Sequence, residues 1–367
     1  MTMTSRKTAV RRVLALTSVG VLLAACGGGK DAASTTEAPT TELPTTAVVA
    51  PSSTTTATTI ATTTTVKAKP VAPLTGLPVT NPKVLVRPAL VVKIDNHKDA
   101  RPHAGLNQAD IVYEEIVEAE ITRFFTIFHS QDASPVGPIR SARTTDVNLL
   151  NQLNRPLFTW SGGNPGVVKE IAMANAESRA YGQAPGFYRD QARHQRTAIE
   201  HTLMNQSTAN IFATATKTEG PPPKFFSYRP VGAPSKVGIP VHVVDAMMRS
   251  VPVHWQWEPA LKVWVRSEYG APHVDASGNP VTTQNVVFQF VPYALSPVDA
   301  RSPDANTVGQ GNAMVFTDGK VILGHWSRPQ VSKPATFTDP TGKPILLTPG
   351  RTWIELAEAG VTQVHFS

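Results

Sequence analysis

A single cysteine, Cys26, limits what this 367-residue chain can build. It closes Leu23-Ala24-Ala25-Cys26, the pattern at which a lipoprotein leader is cut and its thiol acylated. Ahead of it stand a basic start (Arg6, Lys7, Arg11, Arg12) and an apolar run from Val13 to Ala25. That run falls short of the ~20 apolar residues that cross a bilayer and matches the core of an export leader instead. A chain whose one thiol carries lipid has no disulfide, no cysteine nucleophile and no cysteine-ligated zinc. Core packing alone must hold its fold outside the cell. Two acyl chains, at ~0.8 kcal/mol per buried CH₂, meet the two-signal requirement for stable anchoring. The expected place is the outer face of the cytoplasmic membrane, with the lipid as the membrane partner.

The formal charge of +7 invites a nucleic-acid reading. Removing the four cations of residues 1–25 leaves only +3 on the mature chain. That excess is too small and too dispersed for a phosphate-backbone stripe, so nucleic acid is excluded as a partner. Residues 26–70 are Thr, Ala, Ser and Pro with Gly27-Gly28-Gly29 at the start, a composition that cannot offset ordering entropy. A flexible tether of ~40 residues spans roughly 35 Å and holds a folded body off the membrane.

The body reads as α+β. An α/β layered N-terminal domain (71–215) leads through a Pro-rich linker (216–240) to a mostly β C-terminal domain (241–367). Ala89 to Ile94, Asp110 to Glu114 and Thr122 to His129 have strand length and apolar content. The last of them is apolar on both faces, as a central buried strand is. Helices are expected over Thr144–Leu153 and from Pro165 to about Ala174, with a short strand, Leu157–Trp160, between them. Past the linker, Trp255-Gln256-Trp257 and Lys262 to Arg266 alternate with period two. Asp318-Gly319 joins two apolar runs as a hairpin.

Chemistry concentrates between Asp95 and Arg143. Asp95, Asn96, His97, Asp99 and His103 sit at a strand end, where open α/β sheets tend to place ligands. Asp95, Asn96, His97 and His103, with Glu115 and Glu118, make a candidate polar site, and Asp95, Asp99, His97 and His103 carry the metal or anion reading. Their spacing matches no metal motif, so the metal stays unknown. Arg123, inside a buried strand, needs a carboxylate, and Glu115 or Glu118 is the expected structural partner. Gly137-Pro138-Ile139-Arg140-Ser141-Ala142-Arg143 reads as a turn running directly into a helix whose first residues receive an anion. Arg101, Arg123, Arg140, Ser141 and Arg143 are the candidate anion-binding set. The turn Ser161-Gly162-Gly163-Asn164 repeats the strand–turn–helix arrangement without the lysine of a phosphate loop. His201 reads as a satisfied structural histidine. Glu114 and Glu115, adjacent on a strand, face opposite ways and cannot act as a glycosidase pair. Ser141 or Ser161 pairs with His103 or His201 only by choice, so no catalytic set stands out.

The segment RPALVVKIDNHKDARPHAGLNQADIVYEEIVEAEITRFFTIF, followed by VGPIRSAR, resembles the YerB-like family of bacterial lipoproteins. VWVRSEYGAPHVDASG, GQGNAMVFTDGKVILGHW and GRTWIEL extend the resemblance over nearly all of residues 73–356. It implies an anchored extracytoplasmic protein of two domains with no assigned biochemical role. At one place the chain departs: the family carries Pro-His-Asn where this sequence reads Ile199-Glu200-His201-Thr202.

Two functions stay open. One is a cell-envelope binding or scaffold protein with an arginine-lined anion site, its partner a cell-wall polymer, a lipid-linked phosphate or an envelope protein. The other is a metal-assisted enzyme acting on wall polymers or lipid-linked phosphates. TRFFTIF with VGPIRSAR is similar, over a few residues, to the LytR-type wall phosphotransferases. That likeness implies arginines on phosphate and a divalent cation, the sole candidate cofactor, at Asp95 or Glu115. A third reading leaves protein contact to the β domain.

Overall fold

The computed structural model describes residues 69–367, which belong to one compact unit. The leader, Cys26 and all but the end of the tether lie outside the described residues. Three strands open the body: β1 (Leu90–Asp95), β2 (Ile111–Ile116) and β3 (Thr122–Phe128). Every residue in them is buried, because both faces of their sheet are covered. Helix α1 (Thr145–Asn151), strand β4 (Leu157–Thr159), helix α2 (Pro165–Met173) and strand β5 (Glu177–Ser178) follow. Asn164 caps α2 by accepting from Val167 N at 2.9 Å, and Pro165 supplies its first turn.

The Pro-rich stretch 216–240 lies against the body. Phe225 and Phe226 are buried, and Ser227–Tyr228 pairs with Leu346–Leu347. Beyond it run β6 (Val243–Met248), β7 (Val251–Glu258), β8 (Val263–Glu268), β9 (Asn285–Val291), β10 (Gly309–Thr317), β11 (Lys320–Arg328), β12 (Thr336–Thr338), β13 (Thr352–Glu358) and β14 (Val364–Phe366). Asp318-Gly319 joins β10 to β11 with both residues at positive φ, as a tight hairpin requires.

Strands from both halves share one mixed sheet, in the order β12-β11-β10-β9-β13-β2-β3-β1-β4-β5. β13 is the seam: it pairs in parallel with β9 on one side and with β2 on the other. A smaller antiparallel sheet built on β8-β7-β6-β14 covers one face. Trp255, Trp264, Trp353, Phe124 and Phe288 fill the space between the two sheets. On the opposite face α1, α2 and residues 225–228 pack over Phe125, Ile127, Phe158 and Ile354. Helices are few and strands many, so the class is α+β, with a mixed sheet in the N-terminal region and a mostly β C-terminal region.

The pleat decides where charge goes. Val91, Lys93 and Asp95 face the helices, while Val92, Ile94 and Asn96 face the second sheet.

Candidate functional site

The chain beyond β3 folds back along the end of β1. Asp95 N donates to Pro138 O at 2.9 Å and Arg140 N to Lys93 O at 2.8 Å, which lays Arg140 beside Asp95. Ile139 N donates to Leu203 O at 2.6 Å, drawing residues 199–205 to the same edge. Ser161 N and Arg140 O, 3.0 Å apart, attach the turn after β4. Four distant segments therefore meet where β1 ends.

At their junction His201 Nδ1 lies 2.6 Å from Asp95 Oδ2. Burial alone would push the Asp95 carboxyl up. The His201 hydrogen bond and the Arg123 and Arg140 charges outweigh it and bring the pKa down to about 2. The His201 ring stacks on His97, with centroids 4.5 Å apart and planes 8° from parallel. His97 Nδ1 accepts from Asp99 N at 3.2 Å and lies 3.6 Å from Asp99 Oδ2.

Arg123, opposite Asp95 across the β1–β3 pair, donates to Glu118 Oε1 at 2.8 Å and to Ser141 O at 3.1 Å. Arg143 Nε donates to Glu118 Oε2 at 2.7 Å. Two guanidinium groups on one carboxylate hold Glu118 down at about 2 against the upward push of burial. Burial and the nearby Arg143 charge lower Arg123 to about 10. Arg140 is different. Its Nε, 3.4 Å from Asp95 Oδ2, is buried without a hydrogen-bond partner among the described residues, and a quarter of its side chain is exposed.

Deeper on the same face Lys93 is wholly buried between Glu115 and Asp146, with Asp146 Oδ1 at 2.8 Å. Burial and the Asp146 charge raise Glu115 to about 7 despite Lys93.

Across the sheet lies a second network. Asn96 Nδ2 donates to Thr122 Oγ1 at 2.8 Å and Glu268 Oε1 at 2.7 Å. Arg266, fully buried, pairs with Glu114 at 2.7 Å and Glu268 at 2.8 Å. Burial and the Glu114 charge push Glu355 well above the usual carboxylate range. Arg101 reaches Glu268 at 2.6 Å from outside and lies over the Tyr269 ring.

The candidate polar site is thus divided by the pleat. Asp95, His97 and Asp99 stay together, and Glu118 joins them through Arg123. Asn96 turns to the second sheet, and Glu115 is sealed with Lys93. His103 requires a correction: it is buried against Asp95 O (2.7 Å) and His273 Nε2 (2.8 Å) and takes no part in the grouping with Asp95, His97 and Asp99. His201 occupies that place, buried and hydrogen-bonded through Nδ1 to Asp95.

The expected helix start needs correcting as well. Residues 138–144 form no helix, and α1 begins at Thr145, because Ile139 and Arg140 are drawn into main-chain bonds with Leu203 and β1. Asp146 Oδ2, not Ser141, takes the free N–H of Arg143, at 2.7 Å. No helix dipole therefore points at Arg140. Arg123, Arg140 and Arg143 still gather on one side, while Arg101 is drawn to Glu268.

Sequence reasoning missed Arg266, Glu268 and His273. Parity was the available signal: Trp264, Arg266 and Glu268 alternate on the buried face of β8, so the two charges had to be paired inside. A groove of about 900 Å³ runs elsewhere, across the open face of the second sheet by Asp245, Met247 and His254.

The fold defines an α+β protein of two sequence regions welded through one sheet. Residues 74–220 match the family described as "Protein of unknown function (DUF3048) N-terminal domain", and residues 242–354 its C-terminal domain. The chain is 30% identical over 294 residues to "Putative lipoprotein YerB" of Bacillus subtilis (strain 168), covering 78% of this chain and 85% of the relative. It belongs to that family. The crystal structure of the YerB protein from Bacillus subtilis superposes with a TM-score of 0.70 at 28% identity, over 81% of this chain and 100% of that one. Among the described residues no helix is long and apolar enough to cross a membrane.

Proposed function

We propose that this protein is a lipid-anchored extracytoplasmic binding protein that holds a phosphate-bearing envelope ligand, polymer or lipid-linked, beside Arg140. The lipobox at Cys26 and the lipoprotein relative support the anchor. One observation carries the ligand reading: Arg101, Arg123 and Arg143 are in close ion pairs with Glu268 and Glu118, whereas Arg140, a quarter exposed, reaches Asp95 only at 3.4 Å and makes no side-chain hydrogen bond among the described residues. Such a guanidinium keeps its fork for an oxyanion.

Binding is favoured over turnover because neither serine candidate, Ser141 or Ser161, has its hydroxyl hydrogen-bonded to a histidine among the described residues. His103 has both ring nitrogens committed and cannot take a proton from Ser141. A second reading, enzymatic, draws on the Asp95–His201 bond, which orients an imidazole as a base is oriented. Calorimetric titration of the full chain with phosphate and pyrophosphate tests the first. Arg140→Ala should abolish binding and leave the melting temperature nearly unchanged. Equal affinity in that variant overturns the reading. Turnover of a lipid-linked wall precursor with Mg²⁺ would favour the enzyme.

A further inference from the structure

We infer that His97, Asp99 and His201 form a divalent-metal site, with Asp95 orienting His201. One ligand atom from each of the three residues lies within 4.8 Å of the other two. Two imidazoles and a carboxylate suit zinc and its first-row neighbours better than calcium or magnesium. The 3.6 Å between His97 Nδ1 and Asp99 Oδ2 is close to one edge of a tetrahedron with bonds of about 2.1 Å.

The second, independent mark is the partner of His201. Metal-bound histidines commonly donate their other ring N–H to a carboxylate, which fixes tautomer and ring direction. Asp95 accepts in this way from His201 Nδ1 at 2.6 Å, and is itself held by its N–H on Pro138 O at 2.9 Å and by His97 N donating to its Oδ1 at 3.2 Å. His201 keeps Nε2, for which no protein hydrogen bond exists among the described residues. Asp95 thus acts as a positioning residue and not as a ligand.

The stacked rings set a mechanical requirement. A metal lies in the plane of each ring that binds it, and these planes are 8° from parallel. One ring must turn. His201 is held by Asp95, whereas His97 is one-third exposed and gives up only a 3.2 Å bond from Asp99 N. His97 therefore swings to close the site. Three protein ligands leave a fourth position open toward solvent, as in sites that bind an exogenous group. The metal site stands whether or not an anion occupies Arg140.

The test uses the full chain, without an affinity tag, stripped of metal and titrated with Zn²⁺ by calorimetry and with Co²⁺ by visible absorption. One ion per chain is expected, with Co²⁺ bands of a four- or five-coordinate site. His97→Ala and Asp99→Ala change exposed side chains and should fold. Each should weaken binding at least about 10-fold, and His201→Ala should abolish it. Asp95→Asn should cost about 10–100-fold. His254→Ala, in the surface pair with Asp245, should change nothing. No stoichiometric binding, or binding that survives both His97→Ala and His201→Ala, overturns the site.

Discussion

His103 Nδ1 and His273 Nε2 lie 2.8 Å apart and bind two remote regions of the chain inside the protein. The bonds on either side fix every proton in this chain. An Arg266 N–H donates to His273 Nδ1, so His273 carries its hydrogen on Nε2 and gives it to His103 Nδ1. His103 then carries its own hydrogen on Nε2 and gives it to Asp95 O. Both rings are neutral, and a second proton on either would set two donors face to face.

The His103 ring should therefore resist protonation well below the usual histidine range. Burial lowers His103 from 6.5 to about 4, so between those values the unfolded chain binds the extra proton. Stability rises with pH wherever the unfolded state holds more protons, so the contribution of His103 falls as pH drops through this window. Between pH 6.5 and pH 5 the loss from His103 alone should be about 2 kcal/mol. Glu115, raised to about 7, and Asp110, raised to about 6, oppose this loss in the same window, so the ring itself is the readout. Nitrogen NMR of His103 should show Nε2–H and a bare Nδ1 from pH 6.5 to pH 5; a doubly protonated ring there contradicts the tautomer assignment.

Glu118 should matter through what it neutralises. Replacing it by Gln leaves Arg123 and Arg143 together with no carboxylate between them, a loss of about 2 kcal/mol once its part exposure is allowed for. Its depressed pKa gives the sign. The stabilisation is complete above the usual carboxylate value of 4.5 and disappears as pH falls toward about 2. Wild type and Glu118→Gln should converge in stability at low pH, and parallel curves would exclude the pairing.

Lys93→Met should be more damaging, by about 3 kcal/mol or more at neutral pH, because it strands Glu115 and Asp146 together in the core. Glu115 already titrates near 7. Without the lysine it takes a proton more readily still, so the deficit should be smaller at pH 5.5 than at pH 8. A deficit independent of pH would mean packing, not charge, is what the lysine supplies.

The fold was legible where local pattern and burial agree. The TRFFTIF run is buried on both faces as its composition demands, and Asp318-Gly319 makes its hairpin. The joining of both halves through β13 was hidden, since nothing in Thr352–Glu358 tells it to pair with β2 from more than 230 residues earlier. The site was half legible. Asp95, His97, Asp99 and Arg140 could be read from one loop and one turn. His201 could not, because it reaches Asp95 through bonds between segments far apart in sequence, among them Ile139 N to Leu203 O and Val136 N to Asn205 O. The pleat, which sends Asp95 and Asn96 to opposite faces, could have been applied to the polar site as it was to Glu114 and Glu115.

Crystals of the protein soaked in pyrophosphate test the central claim most directly, because they show which side chains receive the anion. The account predicts a pyrophosphate oxygen within about 2.7–2.9 Å of the Arg140 guanidinium, next to Asp95 and His201. Pyrophosphate ordered elsewhere while Arg140 stays bare, or no bound anion at all, would contradict it.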